Sequence, residues 1–404
     1  MKKSRRQFVY ESIAGLTAMA FSPYGWSREV LARPGHSESK PWLELSRIAY
    51  LHNASQISAM ADGKPVMAVL KNNAYGLGDV QVARILEQSP EISGIAVVKD
   101  ERALAIRNGG CTKQLLLMGD FEKSLGPELV KNDIVLSIFS QESLQKVSKL
   151  VAHLTAPVKV ALYIDTGLGR MGIPYQEAVR LGVETAKNEK LALVQTFSTL
   201  TTPKDFAKEQ IRRFEQTTKK LEKKGISPGL KHLAPSYSLL DLPESHQEAV
   251  RPGILLHGSY PGTDMPQAKK YPLKVAYRLK APVIRLEKLT KGDTIGFSRF
   301  YTVERDEWIA TLPIGWADGY DSGAENGALV LLGERLYPVV NVNASHTNVS
   351  LGSYMEVQVG QIATLIGPER PEITPEGFAK RVGGHNYLQI YYKESLPKKI
   401  YETF

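Results

Sequence analysis

Cysteine is almost absent. Cys111 is the single thiol in 404 residues, so no intrachain disulfide can form and no cysteine-based metal site is expected. Long apolar runs are missing as well. The apolar stretch Ile13 to Phe21 is shorter than the roughly 20 residues that a spanning helix needs, so no stable membrane anchor is expected. Internal repeats are missing, which argues against a repeat array. Charge is one-sided but not concentrated: the net is +9, yet the basic residues are scattered. The run Lys219-Lys220-Leu221-Glu222-Lys223-Lys224 reads as the solvated end of a helix, and no aromatic-basic module accompanies it. No nucleic-acid partner is expected. The hydrophobic share of 43% is ordinary, and the length suits two domains with a full core.

The N-terminus differs from the rest. Lys2-Lys3-Ser4-Arg5-Arg6-Gln7-Phe8-Val9 stands before the short apolar stretch, and a basic head with such a stretch reads as an export signal. Ser-Arg-Arg-x-Phe resembles the bacterial twin-arginine signal, a receptor-read address. Residues 1–40 are therefore expected to be signal and linker, and the protein to be periplasmic or otherwise exported.

Beyond Pro41 the pattern alternates apolar runs with amphipathic stretches. Gly94 to Val98, Gln114 to Gly119, Val135 to Ile138, Val158 to Ile164 and Ala192 to Phe197 read as strands. Lys99 to Asn108, Ser140 to Val151 and Phe206 to Lys224 read as helices between them. Such βα alternation argues for a parallel barrel or a doubly wound sheet. After about Tyr271 the helical stretches vanish and short alternating runs take over, as in an all-β domain.

One segment carries chemistry. Pro65-Val66-Met67-Ala68-Val69-Leu70 is an apolar run that ends in Lys71, and Tyr75-Gly76-Leu77-Gly78 follows. A lysine at the carboxyl end of a buried strand sits where barrel enzymes keep their chemistry. A desolvated amine loses proton affinity and can form a Schiff base with an aldehyde cofactor. The segment resembles the pyridoxal-phosphate lysine motif of alanine racemases, Lys-Ala-x-Ala-Tyr-Gly-His-Gly. Four further stretches resemble that family in its own order: Pro41 to Asn53, Asp165-Thr166-Gly167-Leu168-Gly169-Arg170, Val250-Arg251-Pro252-Gly253-Ile254, and Ile309 to Gly319.

The resemblance implies an α/β fold: an N-terminal (β/α)8 TIM-type barrel over 41–272, then a C-terminal all-β domain over 273–404. It implies an amino-acid racemase with alanine as default substrate, pyridoxal 5'-phosphate as cofactor, and a homodimer with a shared active site. Lys71 would hold the cofactor and move a proton on one of its faces. Tyr75, Ser236, Gly253 and Tyr387 match the phosphate-binding positions, Arg251 the residue facing the pyridine nitrogen, and Arg170 a residue near the ring oxygen.

Departures from the family gather around the reacting centre. The tyrosine that a partner subunit supplies as second acid-base group falls at Phe297, which has no ionisable proton. Thr199, Pro235 and Tyr163 replace the family's ring-stacking histidine, an asparagine and a lysine. In the remade loop Asn343-Ala344-Ser345-His346, His346 is the new candidate acid-base group, with Tyr301 and Tyr320 behind it. Two alternatives therefore stay open: a one-base enzyme of decarboxylase, lyase or aldolase type, and a non-catalytic pyridoxal-phosphate binder.

Overall fold

Continuous apolar runs become the staves of a barrel. The structure, a computed structural model, describes residues 39–262, 267–384 and 391–404. The export-signal expectation and Tyr387 lie outside these residues. Strand β1 (Trp42–Ser46) comes first, and seven parallel strands then follow in one sheet. They are β2 (Val66–Val69), β3 (Ile92–Val97), β4 (Gln114–Leu117), β5 (Ile134–Ile138), β6 (Val158–Asp165), β8 (Leu191–Phe197) and β9 (Leu230–His232); the two-residue β7 (Ile173–Pro174) pairs only with β6. An eighth segment closes the ring. Val250 bridges Val66 and Ala249 bridges His232, both in parallel, and Met67 and Val69 donate to the carbonyls of Val250 and Pro252.

The runs are continuous because both faces of each strand are buried. Met67, Val69, Ala96, Leu116, Val135, Ala161 and Phe197 fill the barrel interior. Their alternates Val66, Ala68, Ile95, Leu115, Leu136 and Val160 face the surrounding core, as the period of two requires. The connecting helices carry local start signals: Ser46 caps Arg47–Met60, and Ser140 caps Gln141–Val151 in a reciprocal box with Ser143.

A second sheet of nine strands follows the order β11-β14-β17-β16-β15-β18-β10-β1-β19. Its members are β10 (Tyr277–Pro282), β11 (Arg285–Leu289), β14 (Glu307–Leu312), β15 (Leu329–Leu332), β16 (Arg335–Val342), β17 (Thr347–Gly352), β18 (Ile362–Ile366) and β19 (Lys398–Tyr401), together with β1. Strand β1 thus leaves the barrel region expected from residue 41 and lies between β10, antiparallel, and β19, parallel. The expected absence of helix after Tyr271 also needs correction. Pro375–Val382 is helical, capped by Thr374 and ended by Gly383 at φ +72°. A two-strand hairpin, β12 (Thr294–Ile295) and β13 (Tyr301–Thr302), presents Phe297 at 99% exposure. No described helix is long and apolar enough to cross a membrane.

Candidate active site

Lys71 leaves the carboxyl end of β2 into a cleft of about 700 Å³, whose lining includes Tyr75, Tyr163, Arg170, Thr199, Ser236, Arg251, Gly253 and Tyr391. Burial, and then the positive charge of Arg170, lower the pKa of the Lys71 amine below its usual range. The lysine is followed by an unusual turn. Asn72, Asn73, Ala74 and Tyr75 all adopt positive φ, between 50° and 59°. A left-handed conformation costs an L-residue about 1–2 kcal/mol, less for asparagine, so outside contacts must hold it. Asn73 Oδ1 accepts two hydrogen bonds of 3.0 Å, from the Asp79 N–H and from Arg102.

The turn delivers Tyr75 to the cleft. Its ring packs against His257 and Tyr391, with centroids at 5.2 and 5.6 Å. Its hydroxyl lies against Gly253, where a Cβ would come within 2.0 Å of that oxygen. Only glycine lets this backbone approach so closely. The Gly253 N–H in turn donates to Ser236 Oγ at 3.0 Å. A phenol, a hydroxyl and a backbone amide therefore meet at one spot, and among the described residues the cleft lining holds Lys71, Arg170 and Arg251 but no carboxylate. Such donors with positive charge suit an anion of the size of phosphate.

In the same lining Arg251 is buried. It donates to His232 Nδ1 at 2.6 Å, to the Ser198 carbonyl at 2.7 Å and to Thr199 Oγ1 at 2.9 Å. Burial pulls its pKa down to about 10, so it remains cationic at neutral pH. Burial, and then the charge of Arg251, push His232 well below the usual imidazole range. A neutral His232 that accepts at Nδ1 must carry its proton on Nε2, which faces Gln195 Oε1 at 3.2 Å. Gln195 then donates to Gln114. The His232 ring lies parallel to Phe197 at 5.2 Å, and Phe197 stacks on Tyr163 at 4.3 Å. The barrel interior thus fixes the guanidinium in place, a network that no sequence motif announced.

Arg170 stands exposed at the mouth, at the end of a loop that Asp165 folds by accepting N–H bonds from Gly167, Leu168 and Gly169 at 2.8, 2.9 and 3.2 Å. Tyr391 was not anticipated. It reaches the cleft because its segment lies between two glycines: a Cβ on Gly76 would meet Tyr392 N at 2.3 Å, and one on Gly319 would meet the Tyr391 carbonyl at 2.6 Å.

The structure does not bring His346 to this cleft within one chain. His346 sits in the turn between β16 and β17, with Nδ1 2.8 Å from Ser345 Oγ. Tyr301 donates its hydroxyl to Glu307 at 2.6 Å, and burial with that carboxylate pushes it up to about 12. Tyr320 is fully buried. Among the described residues, no group of three or more His, Cys, Asp or Glu is placed to hold a metal ion.

A neighbour of Tyr75 sets a pH dependence. His257 is buried, with Nδ1 2.9 Å from the Tyr50 hydroxyl, and burial drives its pKa from 6.5 to about 3. Unfolded, the imidazole takes a proton near its ordinary value; folded, it refuses one until far lower. Its contribution to stability is full above pH 6.5 and drains as pH falls toward 3. Between pH 7 and 5 this side chain alone costs about 2 kcal/mol. His232 and His246, lowered chiefly by burial, act in the same direction. Urea unfolding should therefore show stability falling from pH 7 to 5, with a shallower fall in His257→Gln. Equal slopes in both proteins contradict the assignment.

Comparison with known proteins decides the family. The alanine racemase N-terminal domain family matches residues 45–261, and the alanine racemase C-terminal domain family matches residues 276–398. The chain belongs to the alanine racemase family. It is a racemase-type isomerase by that membership. Alanine racemase 1 of Clostridium acetobutylicum is 30% identical over 367 residues, which cover 89% of this chain and 94% of that protein. Alanine racemase 2 of Caldanaerobacter subterraneus is 32% identical over 348 residues, covering 84% and 89%. The solved alanine racemase of Clostridium difficile superposes with a TM-score of 0.82 at 27% identity, covering 89% of this chain and 95% of that one.

Proposed function

We propose that this protein is a pyridoxal-phosphate-dependent amino-acid racemase, with alanine the default substrate. One observation carries the reading: an amine of lowered proton affinity, Lys71, shares a cleft with the Tyr75–Ser236–Gly253 cradle and the buried Arg251. The residues fit the cofactor. Tyr75, Ser236 and the Gly253 backbone would hold its phosphate, Arg251 would face its ring nitrogen, and Lys71 would bind its aldehyde. When bound, the cofactor supplies electron withdrawal that makes a substrate α-proton removable. Lys71 is the group placed to take and return that proton on one face. Arg251 keeps its own protons because a guanidinium does not give them up, and it donates hydrogen bonds to His232, Ser198 and Thr199. A pyridine nitrogen held beside it would therefore stay unprotonated. Such a pairing would weaken electron withdrawal and would suit a reaction that returns its proton quickly.

Reconstitution tests the cofactor claim: mature protein incubated with pyridoxal phosphate should gain a visible absorption band, and a colourless protein overturns it. Gly253→Ala should weaken cofactor binding about 10-fold or more while the protein stays folded, since the added methyl displaces the Tyr75 hydroxyl. Binding unchanged by that substitution would count against the cradle.

Phe297 favours a second reading of the same site. Its side chain is 99% exposed on the β12–β13 hairpin and offers no proton. Chemistry confined to one face, such as decarboxylation or cleavage, needs only Lys71. Product screens for amines, keto acids or aldehydes separate it from racemisation. The family resemblance and the exposed Phe297, Phe300, Trp316 and Tyr354 support a homodimer in which a second copy's β-domain covers the cleft mouth. Light scattering should find a dimer at micromolar concentration; monomer throughout contradicts a shared site. The twin-arginine-like head supports export to the periplasm, which cell fractionation tests.

A further inference from the structure

Arg102 belongs to none of the roles above. It lies in the first turn of the helix Asp100–Asn108 and does not line the cleft. Its guanidinium nevertheless ties three segments together. It donates twice to the Asp79 carboxylate, through Nε at 2.6 Å and through Nη2. Nη2 also donates to Asn73 Oδ1 at 3.0 Å, and Nη1 donates to Glu394 Oε1 at 2.7 Å. Asp79 is fully buried, so Arg102 supplies the partner that a buried carboxylate demands. Asn73 is one of the four left-handed residues after Lys71, and such a turn persists only where its surroundings over-determine it. Glu394 stands three residues beyond Tyr391, on the segment whose backbone presses on Gly76.

We propose that Arg102 is a positioning residue. It clamps the turn bearing Lys71 and Tyr75 to the C-terminal segment bearing Tyr391, and so sets the phosphate end of the cleft. The proposal rests on the pyridoxal-phosphate reading. Its mechanics also stand without cofactor, because every contact named is within the protein. A fork of donors is essential: one guanidinium serves a carboxylate, an amide oxygen and a second carboxylate at once, which an ammonium cannot do in the same geometry.

Wild type, Arg102→Ala, Arg102→Lys and Glu394→Gln, each as the full chain, decide the matter in two measurements. Hydrogen exchange on cofactor-free protein reads residues 71–78 and 391–398. Titration with pyridoxal phosphate, followed by visible absorption, reads the dissociation constant. Arg102→Ala should speed exchange in both segments and leave the barrel strands β3 to β6 unchanged. It should raise the dissociation constant about 10–100-fold. Arg102→Lys should recover only a minor part of that loss, and Glu394→Gln should loosen residues 391–398 alone. Exchange at wild-type rates in both segments overturns the clamp. Loosened segments with a dissociation constant within about twofold of wild type make Arg102 merely structural and overturn its positioning role. A wild-type protein that takes up no cofactor defeats the functional reading and that role together, while the exchange data still report on the clamp. If Arg102→Ala does not fold, Arg102→Lys and Glu394→Gln carry both measurements.

Discussion

Lys71→Ala should yield a folded protein that gains no lysine-linked visible band with pyridoxal phosphate and exchanges no substrate α-proton. Under the proposed function, the Lys71 amine binds the cofactor aldehyde and moves that proton. Losing the proton transfer alone is worth about 10²–10⁴-fold in rate, and losing the covalent link adds to it. The fold should not suffer. Lys71 is half-buried, and burial and then the positive charge of Arg170 both lower its pKa, so its removal relieves an unfavourable charge. Thermal unfolding of the cofactor-free variant at or above the wild-type midpoint is therefore the expected control. A variant that keeps the visible band, or that exchanges α-protons at the wild-type rate, contradicts the role given to Lys71.

Phe297→Tyr should change the stereochemical outcome while leaving exchange on the Lys71 face nearly unchanged. A racemase returns a proton on the face opposite to removal, and under the proposed function Phe297 stands where that donor is expected. The wild-type protein should therefore exchange its α-proton faster than it inverts the centre. A tyrosine supplies the missing hydroxyl on the same ring, so inversion relative to exchange should rise by about 10²-fold. Because the side chain is 99% exposed in one chain, the substitution should cost the fold little. Chiral chromatography beside deuterium uptake reads the ratio. If inversion already keeps pace with exchange in the wild type, a second group acts there, and His346→Ala becomes the informative variant.

The barrel was legible because strands buried on both faces write themselves as unbroken apolar runs; all four residues of β2 are buried. Strand β1 is also fully buried, Glu44 and Ser46 included, and nothing in the run says which sheet it joins. Its neighbours β10 and β19 lie more than two hundred residues away, so only tertiary pairing places it. The helix Pro375–Val382 carried its signals, a threonine cap, a first-turn proline and a terminal glycine, but eight residues are too few for periodicity to stand out. Lys71, Tyr75, Arg170, Ser236, Arg251 and Gly253, read from separate motifs, line one cleft. The residues that escaped notice act through partners distant in sequence. His232 meets Arg251 nineteen positions on, and Arg102 meets Glu394 across 292. Tyr391 reaches the cleft through backbone packing on Gly76 and Gly319, which leaves no signature of its own type.

α-Proton exchange in heavy water tests the proposed chemistry most directly. Protein loaded with pyridoxal phosphate is incubated with L-alanine, then with a panel of L- and D-amino acids, and deuterium at the α-carbon is followed by NMR. Uptake is expected from at least one amino acid, and it should be abolished in Lys71→Ala. A protein that carries the visible band yet exchanges no α-proton from any amino acid contradicts that chemistry, and leaves a pyridoxal-phosphate binder instead of an enzyme.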